Sequence, residues 1–190
     1  MSPPEAAEAC LALLRASGLG GWRVLAVAGE SGAGKSTLAE ALAAHAGAAL
    51  LHQDDYFRLP PAENHAARVQ DPARVGPGEV DLERLAAHVA AFIAGATRVQ
   101  PPLLAAPVAL LRPCLVVEGT YVLGLPSVDV GIFIDRTFLQ TRADRERRGR
   151  DPMDPFIEQV LLREQPQIRA LAPRARVVLD ADFTPRLREA

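Results

Sequence analysis

A glycine-rich run that begins at Gly29 constrains the fold of this chain more than any other feature. It reads GESGAGKS and fits the phosphate-binding pattern G-x-x-x-x-G-K-[ST]. The apolar run 22–28 precedes it, and a helical pattern over 36–45 follows it. This context matters because such a loop is delivered by a strand and opens a helix. The sequence therefore predicts a phosphate-holding loop between a buried strand and a helix.

The basic residues of the chain support this interpretation. Lys35 is the only lysine, and all the other basic residues are arginines. An ammonium is a compact point charge on a flexible stem, and the planar fork of arginine does not replace it. We expect Lys35 to contact the β- and γ-phosphates of a nucleotide and Ser36 to ligate Mg²⁺. The predicted nucleotide-binding residues are Gly29, Glu30, Ser31, Gly32, Ala33, Gly34, Lys35, Ser36 and Thr37.

The hydrophobic periodicity of the remaining chain predicts strands that alternate with helices. Further strands are expected at 48–52, 114–117, 128–134 and 176–179. Helices are expected at 6–14, 82–93 (capped by Asp81), 137–147 and 155–165. Irregular chain is expected in a long loop at 58–80, at 95–113 and in a short tail at 180–190. This alternation is typical of an α/β fold with a parallel sheet between helices, and 190 residues suit one domain.

Acidic residues stand where two of the predicted strands end. In parallel sheets ligands bind beyond the carboxyl ends of the strands. Asp54 follows one strand and could accept the proton of a hydroxyl near the γ-phosphate. We prefer it to Asp55, because the last strand residues point toward the crevice. Glu118 ends another strand and could hold Mg²⁺ or its water. The alternatives are a solvated turn at Asp54 and a simple ion pair at Glu118.

Other features narrow the class of protein. With one lysine in the chain, the Asn/Thr-Lys-x-Asp motif of switch GTPases cannot occur, and the Leu-Ser-Gly-Gly-Gln signature of transport ATPases is absent. An ATP-dependent kinase for small molecules remains the leading class. The net charge of −2 gives no basic field for nucleic acid or membrane. Without a signal-peptide pattern or a membrane-length apolar run, the cytoplasm is the expected location.

Arginines are concentrated between residues 136 and 150. Arg142, Arg145 and Arg148 recur at every third position and would follow one side of a helix. In kinases a mobile lid can bring arginines onto the transferred phosphate. We expect a lid over about 142–153, with Arg142 and Arg145 as its phosphate contacts. The alternative is a solvated helix face. The four histidines show no metal-ligand spacing and are assigned to packing or to the surface.

Four segments together resemble the uridine kinase and phosphoribulokinase superfamily of P-loop kinases. They are GESGAGKST at 29–37, HQDDYF at 52–57, LVVEGTYVL at 115–123 and ERRGRD at 146–151. The second is especially similar to nicotinamide riboside kinases and to uridine–cytidine kinases. The resemblance implies a three-layer P-loop NTPase fold with an arginine-rich lid, and ATP with Mg²⁺ as cofactor.

The resemblance also assigns roles to individual residues. It implies that Asp54 is the general base, that Tyr56 and Phe57 border the acceptor, and that Glu118 acts on the metal side. Asn64, His65 and Asp71 are weaker candidates for recognising the acceptor.

The acceptor itself stays open, because two segments depart from the family pattern. Uridine–cytidine kinases usually carry a Tyr-Asp pair and an Asn-x-Asp-His-Pro stretch, where this chain has VQPPLL at 99–104 and VQDP at 69–72. A nucleoside-like acceptor of the uridine, cytidine or nicotinamide riboside type is expected. The alternatives are pantothenate, glycerate or a sugar phosphate, or an ATP-binding regulatory ATPase without an acceptor. The oligomeric state does not follow from these residues.

Overall fold

A six-stranded sheet forms the centre of the molecule. The structure is a computed structural model and describes residues 1–143, 146 and 155–188. The strands of the sheet are β1 (Val24–Gly29), β2 (Ala49–His52), β5 (Leu115–Glu118), β6 (Val130–Ile134), β7 (Val177–Leu179) and β8 (Pro185–Leu187). Their order is β2-β5-β1-β6-β7-β8. All pairs are parallel except β7 with β8. A separate short hairpin pairs β3 (Arg98–Val99) with β4 (Val108–Ala109).

Five α-helices accompany the strands in the described part of the chain. They are α1 (Pro3–Ala16), α2 (Lys35–Ala46), α3 (Pro61–Gln70), α4 (Leu82–Ile93) and α5 (Pro155–Arg169). As predicted, Asp81 caps α4, and its carboxylate accepts the backbone N–H of Arg84 at 3.1 Å. No described helix has the length and apolar character that crossing a membrane would need.

Apolar side chains cover both faces of the sheet. On one face, α1 and α2 bury residues such as Leu14 and Leu38 against the strands. On the other face, α4 and the end of α5 bury Leu85 and Ile168. Helix layers on both sides of a mostly parallel sheet confirm the predicted three-layer α/β fold.

The segment 58–80 is not the long loop that its prolines and glycines predicted. It contains α3 and two 3₁₀ helices, Pro72–Arg74 and Pro77–Glu79. Pro61 lies in the first turn of α3, where a missing N–H costs nothing, so this proline starts a helix rather than interrupting one. Long-range contacts hold this segment, among them the hydrogen bond from Arg68 to Glu164. A local sequence pattern does not indicate such contacts.

Other segments also differ from the prediction, among them 95–113, which the sequence predicts to be irregular and which contains the hairpin of β3 and β4. The expected tail at 180–190 contains β8, because a turn at Asp180 to Thr184 returns the chain along β7. Helix α5 begins at Pro155 as predicted but runs four residues past Gln165, with Pro166 inside it. The helix predicted from Thr137 starts later, since 138–141 form a turn and only 142, 143 and 146 are seen as helical.

Candidate active site

The phosphate loop lies where the sequence predicts it, between the end of β1 and the start of α2. Gly34 precedes α2 in a left-handed conformation, with φ of +100°. The ammonium of Lys35 donates to the carbonyl oxygen of Glu30 at 3.0 Å, and the N–H of Ala33 donates to the same oxygen at 3.1 Å. The loop therefore closes on itself through these two hydrogen bonds, and the Lys35 ammonium lies against the Glu30 carbonyl.

Glu118 brings the loop and two strands together. It ends β5, which pairs with β1 on one side and with β2 on the other, and it lies level with His52. Its Oε1 accepts a hydrogen bond from the hydroxyl of Ser36 at 3.1 Å and another from Nδ1 of His52 at 2.8 Å. Glu118 is 3% exposed. The two predicted metal-side residues are thus in direct contact.

The charges around Glu118 favour an ion pair with His52. Burial alone would raise the pKa of Glu118, but the hydrogen bond from His52 and the charge of Lys35 hold this pKa below its ordinary value. The same hydrogen bond raises the pKa of His52. The assignment of His52 to packing or surface is therefore incomplete. Its place at the end of a predicted strand is the one sequence signal that bears on this role, and the neighbouring strand that ends in Glu118 is identified only by the structure.

Asp54 lies in the 3₁₀ helix Gln53–Tyr56, directly after β2. Asp54 is exposed to solvent on one side, but the surrounding protein removes much of the water around its carboxylate. This desolvation raises its pKa. The charge of Glu118 raises this pKa further, whereas the charge of Lys35 lowers it. The pKa of Asp55 is also raised by desolvation, with no comparable influence of Lys35. Asp54 is thus the carboxylate that senses both the loop lysine and the metal-side glutamate.

Gln53 fixes the start of the helix that carries Asp54. It is 1% exposed. Its Oε1 accepts the backbone N–H of Tyr121 at 2.8 Å, and its Nε2 donates to Thr120 Oγ1 at 2.9 Å. These bonds tie the end of β2 to the segment after β5. The position of Asp54 is therefore set by two strands rather than by its own loop.

Tyr56 and Phe57 anchor the chain as it leaves this helix. Tyr56 is fully buried in the core, and its hydroxyl forms a hydrogen bond of 2.8 Å with Nδ1 of His88. Phe57 is partly buried and forms an isolated antiparallel bridge with Val80. Their predicted contact with the acceptor stays a prediction, and Tyr56 exposes no surface for it here.

Glu30 has a second role that the loop pattern does not reveal. Its carboxylate is 2% exposed and accepts hydrogen bonds from Arg169 Nε at 2.6 Å and from the backbone N–H of Phe138 at 2.7 Å. Gln165 Nε2 adds bonds of 3.1 and 3.2 Å to the two oxygens. Arg169 also contacts Asp135 at 3.1 Å. Sequence reasoning missed these partners because they lie more than a hundred residues away.

A buried ion cluster is centred on Arg68. Arg68 of α3 donates to both carboxylate oxygens of Glu79, at 2.6 and 2.9 Å, and to Glu164 of α5 at 3.0 Å. Burial raises the pKa of Glu164, Arg68 opposes this, and the charges of Glu79 and Asp54 add to the rise. The cluster joins α3 to α5 and holds two carboxylates around one guanidinium.

The weaker acceptor candidates lie along α3 and just after it. Asn64 is buried. His65 contacts the ring of Phe156 edge-on, with 5.6 Å between the ring centroids. Asp71 accepts the backbone N–H of Ala73 at 3.0 Å and so caps the next 3₁₀ helix. A local structural role is therefore visible for Asp71.

The predicted lid falls mostly outside the described residues. Of its two predicted phosphate contacts, Arg142 is exposed and pairs with Glu146 at 3.1 Å. Arg145 and residues 147–154 lie outside the described part of the chain. The lid therefore stays a prediction.

Comparisons with known proteins identify the fold. No protein-family model and no curated protein matches the sequence. Among solved structures, a protein of Silicibacter sp. TM1040, provisionally described as a fructose transport system kinase, is 22% identical with a TM-score of 0.61; the match covers 90% of this chain and 95% of that one. A protein of Bacillus stearothermophilus, provisionally described as a uridine kinase, is 19% identical with a TM-score of 0.60, over 94% and 99% of the two chains.

These likenesses confirm the predicted resemblance at the level of the fold. The chain shares its fold with these two proteins, each provisionally described as a kinase.

Proposed function

We propose that this protein is an ATP- and Mg²⁺-dependent kinase that transfers the γ-phosphoryl group to a hydroxyl of a small acceptor. One observation carries the proposal: the phosphate loop, Glu118 and Asp54 converge at the carboxyl edge of three adjacent strands. Ser36 of the loop contacts Glu118 at 3.1 Å, and Asp54 senses the charges of both Glu118 and Lys35. Phosphoryl transfer needs little more than such positioned charges.

The nucleotide end of the site consists of residues 29–37. The backbone amides of the loop and the N-terminus of α2 suit the phosphates, and Lys35 would leave the carbonyl of Glu30 to reach them. Ser36 and Glu118 offer the hard oxygen ligands that Mg²⁺ prefers, and Mg²⁺ is usually held by few protein oxygens beside phosphate. When bound there, Mg²⁺ neutralises charge on the phosphates.

Asp54 acts as the general base. The acceptor oxygen attacks the γ-phosphorus, its proton passes to the Asp54 carboxylate, and ADP leaves. A raised pKa suits this task because it makes the carboxylate a stronger proton acceptor at neutral pH. Desolvation also raises the pKa of Asp55, but Asp55 lacks the link to Lys35.

Arg142 and Arg145 are proposed to close over the phosphates. The pair of Arg142 with Glu146 is exposed, and such pairs contribute little stability, so a phosphate could replace the glutamate. Phe57, which is partly buried, would border the acceptor, whereas the fully buried Tyr56 would hold the chain that leaves Asp54.

An uncharged or cationic, nucleoside-like acceptor fits best beside Asp54 and the cluster around Arg68, which we take as the acceptor side. Arg68 is engaged by both Glu79 and Glu164, and the charge of Asp54 helps to raise the pKa of Glu164, so three carboxylates stand against one guanidinium among these four residues. Within the described residues this balance disfavours phosphorylated sugars, glycerate and pantothenate. A free sugar is a second candidate, because one structural neighbour is described as a fructose transport system kinase.

A panel of acceptors tests the proposal. ADP release is measured with Mg–ATP and uridine, cytidine, nicotinamide riboside, fructose, pantothenate, glycerate or ribose 5-phosphate, using the wild type and Asp54→Asn. Acceptor-stimulated release by the wild type, with a product heavier by one phosphoryl group, supports a kinase. A constant rate that ignores every acceptor would indicate an ATPase and contradict the proposal.

A further inference from the structure

Glu30 places a negative charge inside a loop that must hold other negative charges. The residue follows Gly29 directly, and its carboxylate is almost completely buried. A buried carboxylate is costly unless it is paired and hydrogen-bonded. Here Arg169 neutralises it at 2.6 Å, and Gln165 and the N–H of Phe138 complete its hydrogen bonds. The loop is therefore fastened to helix α5 through this one side chain.

Helix α5 is fastened on its other side to the segment 61–79. Gln165 and Arg169 lie one turn apart and face the loop. Arg163 and Gln167, also one turn apart, lie on the opposite side of the helix and donate to the carbonyl oxygens of Pro72 and Val75, at 3.2 and 3.3 Å. Glu164 adds its bond to Arg68 of α3. One helix thus contacts both the nucleotide loop and the acceptor side.

We propose that Glu30 is a positioning residue that couples the phosphate loop to the segment 61–79 through α5. The inference rests on the proposed function, since it takes the loop to be the nucleotide site. A nucleotide that orders the loop orders Glu30, then Arg169 and Gln165, and with them the helix that holds α3. Such coupling orders the acceptor side only when phosphate occupies the loop. It is a coupling free energy, so that binding at one site changes the stability of the other.

A purely structural ion pair would behave differently. Removing it would loosen the protein equally with and without nucleotide. A coupling residue instead changes how the distant segment responds to nucleotide. Amide hydrogen exchange measures this response, because it reports local opening segment by segment.

The experiment compares exchange with and without saturating Mg–ADP in the wild type, Glu30→Gln and Arg186→Gln. The last removes an exposed ion pair with Asp180 and serves as the control. In the wild type and the control, Mg–ADP should slow exchange over 61–76 by about fivefold, the low end of typical coupling between sites. In Glu30→Gln this slowing should be lost, even at Mg–ADP concentrations that calorimetry shows to saturate the variant.

A second variant covers the case in which Glu30→Gln does not fold. Gln165→Leu keeps the ion pair with Arg169 and removes one link, so it should lose part of the slowing. Full slowing in either folded variant, or none in the wild type, overturns the coupling. Calorimetry on the same samples separates the two proposals. A wild type that does not bind Mg–ADP contradicts the proposed function, whereas binding without slowed exchange contradicts the coupling alone.

Discussion

Ser36 and Glu118 are joined by a hydrogen bond of 3.1 Å, although 82 residues separate them in the sequence. The bond exists because β1 and β5 are neighbouring parallel strands, so that the loop after one meets the last residue of the other. His52, at the end of β2, contacts the same carboxylate oxygen. The carboxylate of Glu118 therefore links the ends of β1, β2 and β5.

Glu118→Gln should raise the Mg²⁺ requirement of the enzyme. The variant keeps the shape of the side chain and removes its charge, so the half-saturating Mg²⁺ concentration in the ADP-release assay should rise by about ten- to hundredfold, as for other residues that support a metal. Glu8→Gln, an exposed change on α1, is the matched control. An unchanged Mg²⁺ dependence would remove Glu118 from the metal side.

Asp54→Asn should lower turnover by a factor on the order of 10²–10⁴, the usual contribution of a general base. ATP affinity should change little, because an asparagine of the same size still fits the crevice. Asp55→Asn, one residue away, should have a much smaller effect on turnover. Near-normal turnover of Asp54→Asn would show that the base is another group.

The same variant should be more stable than the wild type at neutral pH. Desolvation raises the pKa of Asp54 in the folded state above its ordinary value of 3.8, so the charged form is disfavoured by folding. This cost is present at pH values above the raised pKa of the folded state. It disappears as the pH falls below 3.8, where the Asp54 carboxyl is protonated in both the folded and the unfolded chain. Melting temperatures at several pH values check this. A difference that grows toward low pH would give the shift the opposite sign.

Gly34→Ala should damage the loop more than Gly47→Ala damages the end of α2. Both glycines have positive φ, of +100° and +63°, so both variants carry the left-handed penalty of about 1–2 kcal/mol. A Cβ at position 34 would also lie 2.8 Å from Cζ of Phe183, whereas one at position 47 meets nothing within 4 Å.

Thermal unfolding and Mg–ATP binding of the two variants measure this difference. Gly47→Ala should lose stability but keep its affinity for Mg–ATP, whereas Gly34→Ala should lose both stability and affinity. Adding Phe183→Ala to Gly34→Ala should recover part of the stability. Equal losses in the two single variants would mean that Phe183 does not constrain the loop.

What the sequence predicts well is local. The strand, loop and helix at 24–46 lie within one stretch, and Asp54 follows its own strand by two residues, so pattern and motif suffice. The partners of Glu30 and the contact between His52 and Glu118 depend on which strands and helices become neighbours. A pattern in one sequence does not carry that information, because the sequence shows the same glutamate whether its carboxylate contacts water or an arginine.

The missed elements have a physical reason of the same kind. Helix α3 begins at a proline and has a polar sequence, and it is held by the ion cluster around Arg68 rather than by a strong apolar stripe. Strand β8 exists because β7 offers it an edge to pair with.

Titration calorimetry of Mg–ATP with the wild type and Lys35→Ala is the decisive measurement of nucleotide binding at residues 29–37. Lys35 contacts only the Glu30 carbonyl among the hydrogen bonds seen in the described residues, so its loss should leave the fold intact. We predict saturable binding at one site per chain, weakened by about ten- to hundredfold in the variant, as expected for a lost bond to a charged group. A folded wild type that binds no Mg–ATP, or a variant that binds it equally well, would contradict a nucleotide site at residues 29–37.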